Sequence, residues 1–121
     1  MKQEDKELLL RDLCGRLPYG VKCGVYDRIG VLDEISSYGA AVNYNSGEDT
    51  TCRIEYVKPY LFPLSSMKGR HKAELFNLRI NIEDSFQDTL CEIDFYHRNH
   101  FDYRGLIEKG LAIDCTNLNL Y

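Results

Sequence analysis

Between residues 20 and 64 the sequence repeats one pattern at regular spacing: short stretches in which apolar and polar residues alternate, each closed by turn formers. Val21, Cys23 and Val25 alternate with Lys22, Gly24 and Tyr26; after a short Asp27-Arg28 turn, Ile29, Val31 and Ile35 resume the apolar series. Ser36-Ser37-Tyr38 is a break, Gly39 to Tyr44 forms another stretch, and Asn45 to Asp49 is rich in turn residues. Cys52, Ile54 and Tyr56 then alternate with Arg53, Glu55 and Val57. A period of two sends successive side chains to opposite faces, so such a segment folds as an antiparallel meander with one face toward a core. Roughly five strands in about 45 residues is the scale of a small SH3-like barrel or half-barrel. Pro59 and Pro63 suit an edge or exit segment, because proline has no amide hydrogen to give a ladder.

The flanks of this meander read as helices. Over residues 4–15, Leu9, Leu10, Leu13, Cys14 and Leu17 follow helical spacing, Glu4, Asp5 and Glu7 suit the positive end of the dipole, and Gly15 and Pro18 supply a stop. The block 65–121 is mainly helical. Met67 to Leu75 fits a helix weakened by Gly69, while the alternation of Phe76, Leu78, Ile80 and Ile82 fits a strand as well as a helix end. Ser85 with Asp88 resembles an N-cap for a helix reaching about His97. Asp102 is placed to cap a short helix from Tyr103 to Lys109, with Gly110 as its stop. Leu118, Leu120 and Tyr121 form an apolar end that packs on the domain or extends a sheet edge. The expectation is therefore one α+β domain over 1–121: helix 4–15, a small SH3-like antiparallel β-barrel from the meander 20–64, and C-terminal helices over 65–121 packed on it.

A chain of 121 residues can bury a core without staples. Its five cysteines are odd in number and form no C-x-x-C pair, its first residues are charged, and its longest apolar runs are short. These features point to a cytoplasmic protein with free thiols and no membrane segment. A net charge of −4 speaks against non-specific DNA binding by overall charge, which leaves a local basic patch as the route to phosphate.

Candidate sites are few. Lys68, Arg70 and Lys72, with His71 between them, form the one dense basic run, beside Gly69. Such a run holds phosphate or lies on a solvated helix face, and Tyr56, Tyr60 and Phe62 nearby add rings on which bases stack. The segment Tyr56 to Leu64 either straps the barrel to the helices or offers an exposed docking strip. Tyr103 and Arg104, at the start of the last expected helix, complete the candidate binding residues. Asp94, His97, His100 and Asp102 have a spacing that only partly matches metal ligation, and no H-e-x-x-H pattern accompanies them. The chain carries no nucleophile elbow, phosphate-binding loop or dinucleotide fingerprint. No catalytic residue, metal or cofactor is assigned.

Three stretches carry a resemblance: Leu17-Pro18-Tyr19-Gly20-Val21, Lys58 to Met67 (KPYLFPLSSM) and His100 to Ala112 (HFDYRGLIEKGLA). In this order they resemble a family of short uncharacterised proteins of gut bacteria and of their phages and mobile elements. The resemblance implies a phage or mobile-element setting in a bacterial cytosol, and supplies no catalytic residue. The resulting expectation is a non-enzymatic accessory protein acting as a protein-interaction module. The alternative is a nucleic-acid-binding small barrel that uses the run Lys68–Lys72.

Overall fold

The computed structural model describes residues 1–37, 39–44, 47–80 and 85–121, with only the backbone described over 85–88. The N-terminal helix α1 spans Gln3–Arg16 and runs into a 3-10 turn, Leu17–Tyr19, closed by Gly20 at φ +66°. Gly15, expected as the stop, lies inside the helix. Termination falls instead on the Pro18 turn and Gly20, where the left-handed backbone costs glycine little. Leu9 and Leu13 are fully buried, whereas Leu10 and Cys14 face outward.

The meander supplies β1 (Lys22–Val25), β2 (Arg28–Ser36), β3 (Gly39–Asn43), β4 (Asp49–Cys52) and β5 (Val57–Pro63). The first four pair in antiparallel succession, and β5 returns beside β1, with Cys23 opposite Pro59 and Val25 opposite Val57. Gly39 permits the turn from β2 into β3: a Cβ there would lie 2.0 Å from the Cys52 carbonyl oxygen. The strand expected over Cys52–Tyr56 is displaced: β4 begins at Asp49, read as part of the turn, and shares only Cys52 with it, and Ile54–Tyr56 is a 3-10 turn that carries the chain from β4 to β5.

Two short strands from the C-terminal block, β6 (Phe101–Asp102) and β7 (Ile113–Asp114), join β5 in parallel. The resulting sheet has the order β4-β3-β2-β1-β5-β6, with β7 also on β5. Among the described residues no ladder joins β4 to β6, so the sheet is open and the closed barrel expected from the meander is not formed. The reason lies in β5, which pairs with β6 and β7 instead of closing on β4. This places Pro59 inside the sheet, the last residue paired with β1 and followed by Tyr60, the first paired with β7, whereas Pro63 ends β5 opposite Asp102, at the exit position expected of it. A strand of this kind, with Val57, Tyr60 and Leu61 all buried, reads as a nearly continuous apolar run and lacks clear alternation.

The third block contains α2 (Gly69–Ile80) and α3 (Ser85–Arg98). Residues 76–80 are thus helical, whereas the part of that question concerning Asn81 and Ile82 lies outside the described residues, as does the side-chain cap expected from Ser85 and Asp88. Arg79 to Glu92 at 2.5 Å and Arg98 to Glu74 at 3.2 Å tie the two helices together. The expected helix over Tyr103–Lys109 is a series of turns. Gly105 at φ +73° takes the chain out of helical space, and the Asp102 carboxylate accepts hydrogen bonds from the amides of Leu106 (3.0 Å) and Ile107 (2.9 Å).

The main core lies between α1 and the sheet and includes Leu9, Leu13, Val21, Val25, Val42, Val57, Leu61 and Leu106. A smaller aromatic core, Leu75, Phe95 and Phe101, with Phe62, Met67 and Tyr96 against it, fastens the α2–α3 pair to the β5–β6 end. No helix among the described residues is long and apolar enough to cross a membrane.

Candidate functional site

A pocket of about 330 Å³ opens where the start of α2, the end of α3, β6 and the C-terminal segment meet. Its cationic side is made by Lys68, Arg70 and Arg98, and its imidazole side by His71 and His100. Phe62, Phe101 and Tyr121 supply rings, Ser66, Asn99, Thr116 and Asn119 are polar, and among the described residues no Asp or Glu side chain lines it. In an acidic protein this concentration of positive charge is local, set by the fold and not by composition.

Each element contributes for a local reason. The 3-10 turn Leu64–Ser66, held by the Ser66 hydroxyl donating to the Pro63 carbonyl oxygen at 2.7 Å, aims the chain from β5 into α2. The basic run is therefore placed at the mouth beside Phe62. The end of α3 brings Arg98, followed by His100 at φ +62°, a conformation that reverses the chain into β6. The Phe62 amide donates to the His100 carbonyl oxygen at 2.8 Å.

The C-terminal segment forms the remaining wall. The Tyr121 hydroxyl donates to the Tyr60 carbonyl oxygen at 2.9 Å and accepts from the Lys22 amide at 2.7 Å. Lys22 Nζ also donates to the Leu120 carbonyl oxygen. The Tyr121 ring stacks on His100 with centroids 3.7 Å apart and packs at a tilt against Phe62. Burial raises the Tyr121 phenol above its ordinary range.

Burial disfavours the charged form of both pocket histidines. Burial, with the Arg16 and Lys22 charges adding to it, lowers His100 from 6.5 to about 4. Burial and the Arg70 charge lower His71, against a raising contribution from Glu74. The Nδ1 atoms of His71 and His100 are buried without a hydrogen-bond partner among the described residues. Glu74 shares Arg98, whereas Lys68 and Arg70 make no ion pair among the described residues.

A second polar cluster lies beneath α1. Asp12 and Arg16 are fully buried, with Arg16 Nε donating to Asp12 Oδ2 at 2.7 Å and Nη2 to the Phe101 carbonyl oxygen at 2.6 Å. Arg104 Nε stands 3.3 Å from Asp12 Oδ1 in an ion pair without hydrogen-bond geometry. His97 Nε2 and the Tyr103 hydroxyl are 2.7 Å apart, Tyr103 stacks on Tyr96, and the guanidinium of Arg104 sits 5.0 Å from the Tyr103 ring centre. Burial lowers His97 and raises Tyr103.

The expected site residues thus separate. Phe62, Lys68 and Arg70 meet in the pocket. Lys72 is exposed on α2 outside the lining, and Tyr60 is buried in β5, contributing its carbonyl oxygen to the Tyr121 wall. Tyr56 is on another face, stacked on the exposed Tyr26 with centroids 5.7 Å apart. Tyr103 and Arg104 belong to the buried cluster. The spacing of Asp94, His97, His100 and Asp102 does not gather them: Asp94 accepts from the Tyr19 hydroxyl, His97 meets Tyr103, His100 faces the pocket and Asp102 caps a turn. Among the described residues no group of three or more histidine, cysteine or carboxylate side chains is assembled as a metal site.

Arg98, Asn99 and Tyr121 were not foreseen as pocket residues. The one signal for Arg98 was its place in a His97-Arg98-Asn99-His100 run, and nothing local linked Tyr121 to residues far back in the chain. Comparisons with protein-family models, with curated proteins and with solved structures find no match.

Proposed function

We propose that this chain is a nucleic-acid-binding module that takes a single strand at the pocket between α2, α3 and the C-terminal segment. The observation that carries the reading is the composition of that pocket: Lys68, Arg70 and Arg98 with the rings of Phe62 and Tyr121, and no Asp or Glu side chain in the lining among the described residues. Single-strand binders combine cations for the backbone with aromatic side chains for the bases. Local charge is sufficient for this, because affinity for phosphate depends on the cations that contact it. On this reading the meander is an SH3-like half-barrel that serves as scaffold, and the chain binds without catalysing a reaction. A bacterial cytosol, with a phage or mobile-element origin, is the setting that goes with it.

Fluorescence anisotropy with labelled single-stranded DNA and RNA tests the reading. Saturable binding at low salt that weakens steeply as salt rises is the expected result. Reversing charge at Lys68 and Arg70 should abolish it. Binding indifferent to that reversal, or absent at low salt, overturns the assignment.

A protein-interaction role has its own observation, the stacked and exposed Tyr26–Tyr56 pair, since tyrosine is enriched at contact hot spots. If partner capture from a host lysate survives nuclease and is lost on Tyr26→Ala with Tyr56→Ala, this second reading stands. Capture unaffected by both changes removes it.

A further inference from the structure

Resting on the nucleic-acid reading above, we propose that the pocket recognises the phosphorylated end of a single strand, holding one terminal nucleotide with its phosphate monoester against Lys68, Arg70 and Arg98.

Size is the first argument. At about 330 Å³ the pocket is at the low end of small-molecule sites, which span roughly 300–1,000 Å³. It suits one nucleotide unit and is too small for a track of several. One wall is fixed, because Tyr121 is anchored through its hydroxyl to Tyr60 and Lys22 and through its ring to His100. Lys22 further holds the Leu120 carbonyl. A strand that passes through must leave on the far side, whereas a strand end need only enter.

Charge is the second. An internal phosphodiester carries a single negative charge, while a terminal monoester carries about −1.5 to −2 near neutral pH and offers three acceptor oxygens. Lys68 and Arg70 have no ion pair among the described residues, and together with Arg98, which Glu74 shares at 3.2 Å, they favour the more highly charged group. Arg70 and Arg98 present the planar donor fork that matches phosphate oxygens.

The test compares strands of about 12 nucleotides carrying a 5′ phosphate, a 3′ phosphate or hydroxyls at both ends, by anisotropy at one low salt concentration. One phosphorylated strand should bind about tenfold more tightly than the hydroxyl-ended strand, the gain from about one charge-assisted hydrogen bond. The comparison of the two phosphorylated strands identifies the end that is read. Arg70→Ala should remove the difference, while Lys72→Ala, outside the lining, should weaken all three strands alike and keep it. Equal affinity for the three strands overturns end recognition and leaves strand binding standing. Discrimination that survives both Arg70→Ala and Lys68→Ala overturns the pocket as its source. Failure to bind any strand overturns both this proposal and the reading on which it rests.

Discussion

Asp12 and Arg16 form an ion pair at 2.7 Å in which neither side chain has any solvent exposure. They lie one helical turn apart on the face of α1 that also buries Leu9 and Leu13. Arg16 continues from this pair to the Phe101 carbonyl oxygen, and so joins α1 to β6, one wall of the basic pocket. Removing Asp12 leaves the buried Arg16 charge without a carboxylate, and removing Arg16 leaves the buried Asp12 with only the 3.3 Å contact to Arg104. Asp12→Ala and Arg16→Ala should each cost about 3–5 kcal/mol of stability, whereas replacing both with apolar residues of similar volume should cost far less. Urea denaturation of the two single variants and the double variant checks this. Single-variant losses below about 1 kcal/mol would place the pair among exposed ones.

Gly15 is the point at which α1 approaches α3. A Cβ there would stand 2.4 Å from Cε1 and 2.8 Å from Nε2 of His97, and the ring has little freedom because Nε2 is engaged with Tyr103. Alanine is favoured over glycine within a helix by about 1 kcal/mol, but crowding a packed site costs about 1–3 kcal/mol. Gly15→Ala should therefore destabilise the protein. In a His97→Ala background the same change should become stabilising. Thermal unfolding of the four combinations measures the reversal, and the same sign in both backgrounds would refute the contact.

His100 links stability to pH. Its ordinary value of 6.5 is lowered in the folded chain to about 4, chiefly by burial. Above about pH 6.5 the imidazole is neutral in both states and the folded state carries no penalty. As pH falls from there toward 4, the unfolded chain takes up a proton that the folded chain refuses, and stability drops. His71 and His97 are lowered as well and act in the same sense. His100→Asn, which tolerates the positive φ, should flatten part of this slope. Urea midpoints at about pH 7, 5.5 and 4.5 test it; parallel slopes for the variant and the parent would count against His100 as a source.

The five thiols should react in an order set by burial. Cys14 is exposed, Cys52 and Cys91 are half-buried, and Cys23 and Cys115 are buried. Burial pushes Cys115 up to about 11, with the Asp114 charge adding to it, and burial with the Asp12 charge raises Cys23, so neither forms the reactive thiolate at neutral pH. Alkylation of the native protein followed by peptide mass mapping should find Cys14 modified first, with Cys23 and Cys115 protected until denaturant is added. Early modification of Cys23 would show that the sheet opens readily beneath α1.

Only part of the candidate site was legible before folding. The basic run Lys68–Lys72 stood out by density, and Lys68, Arg70 and His71 do line the pocket. Arg98 and Tyr121 reach it only because α3 folds back on α2 and because the Tyr121 hydroxyl finds Lys22, a residue on β1. Tyr60 illustrates the opposite error: an aromatic in a Pro-rich segment looks like a surface feature until the strand on which it lies is covered.

What the sequence determined by itself are the elements whose cause is local. Apolar spacing made α1, and short apolar stretches between turn formers made β1, β2 and β3, which follow from the fixed geometry of helix and strand, although β2 turns Gly30 and Leu32 inward and leaves Ile29 exposed. Tertiary structure decided the rest. β5 accepted the short strands β6 and β7 and left the sheet open, and Gly105 with Asp102 turned the expected last helix into a capped turn. The buried Asp12–Arg16 pair also depends on distant atoms, since only packing against Phe101 and Arg104 makes it tolerable for charge to sit on the core face of a helix. Such outcomes depend on which groups desolvate together across the fold, and desolvation energy is a property of the assembled surroundings, which no local stretch of sequence contains.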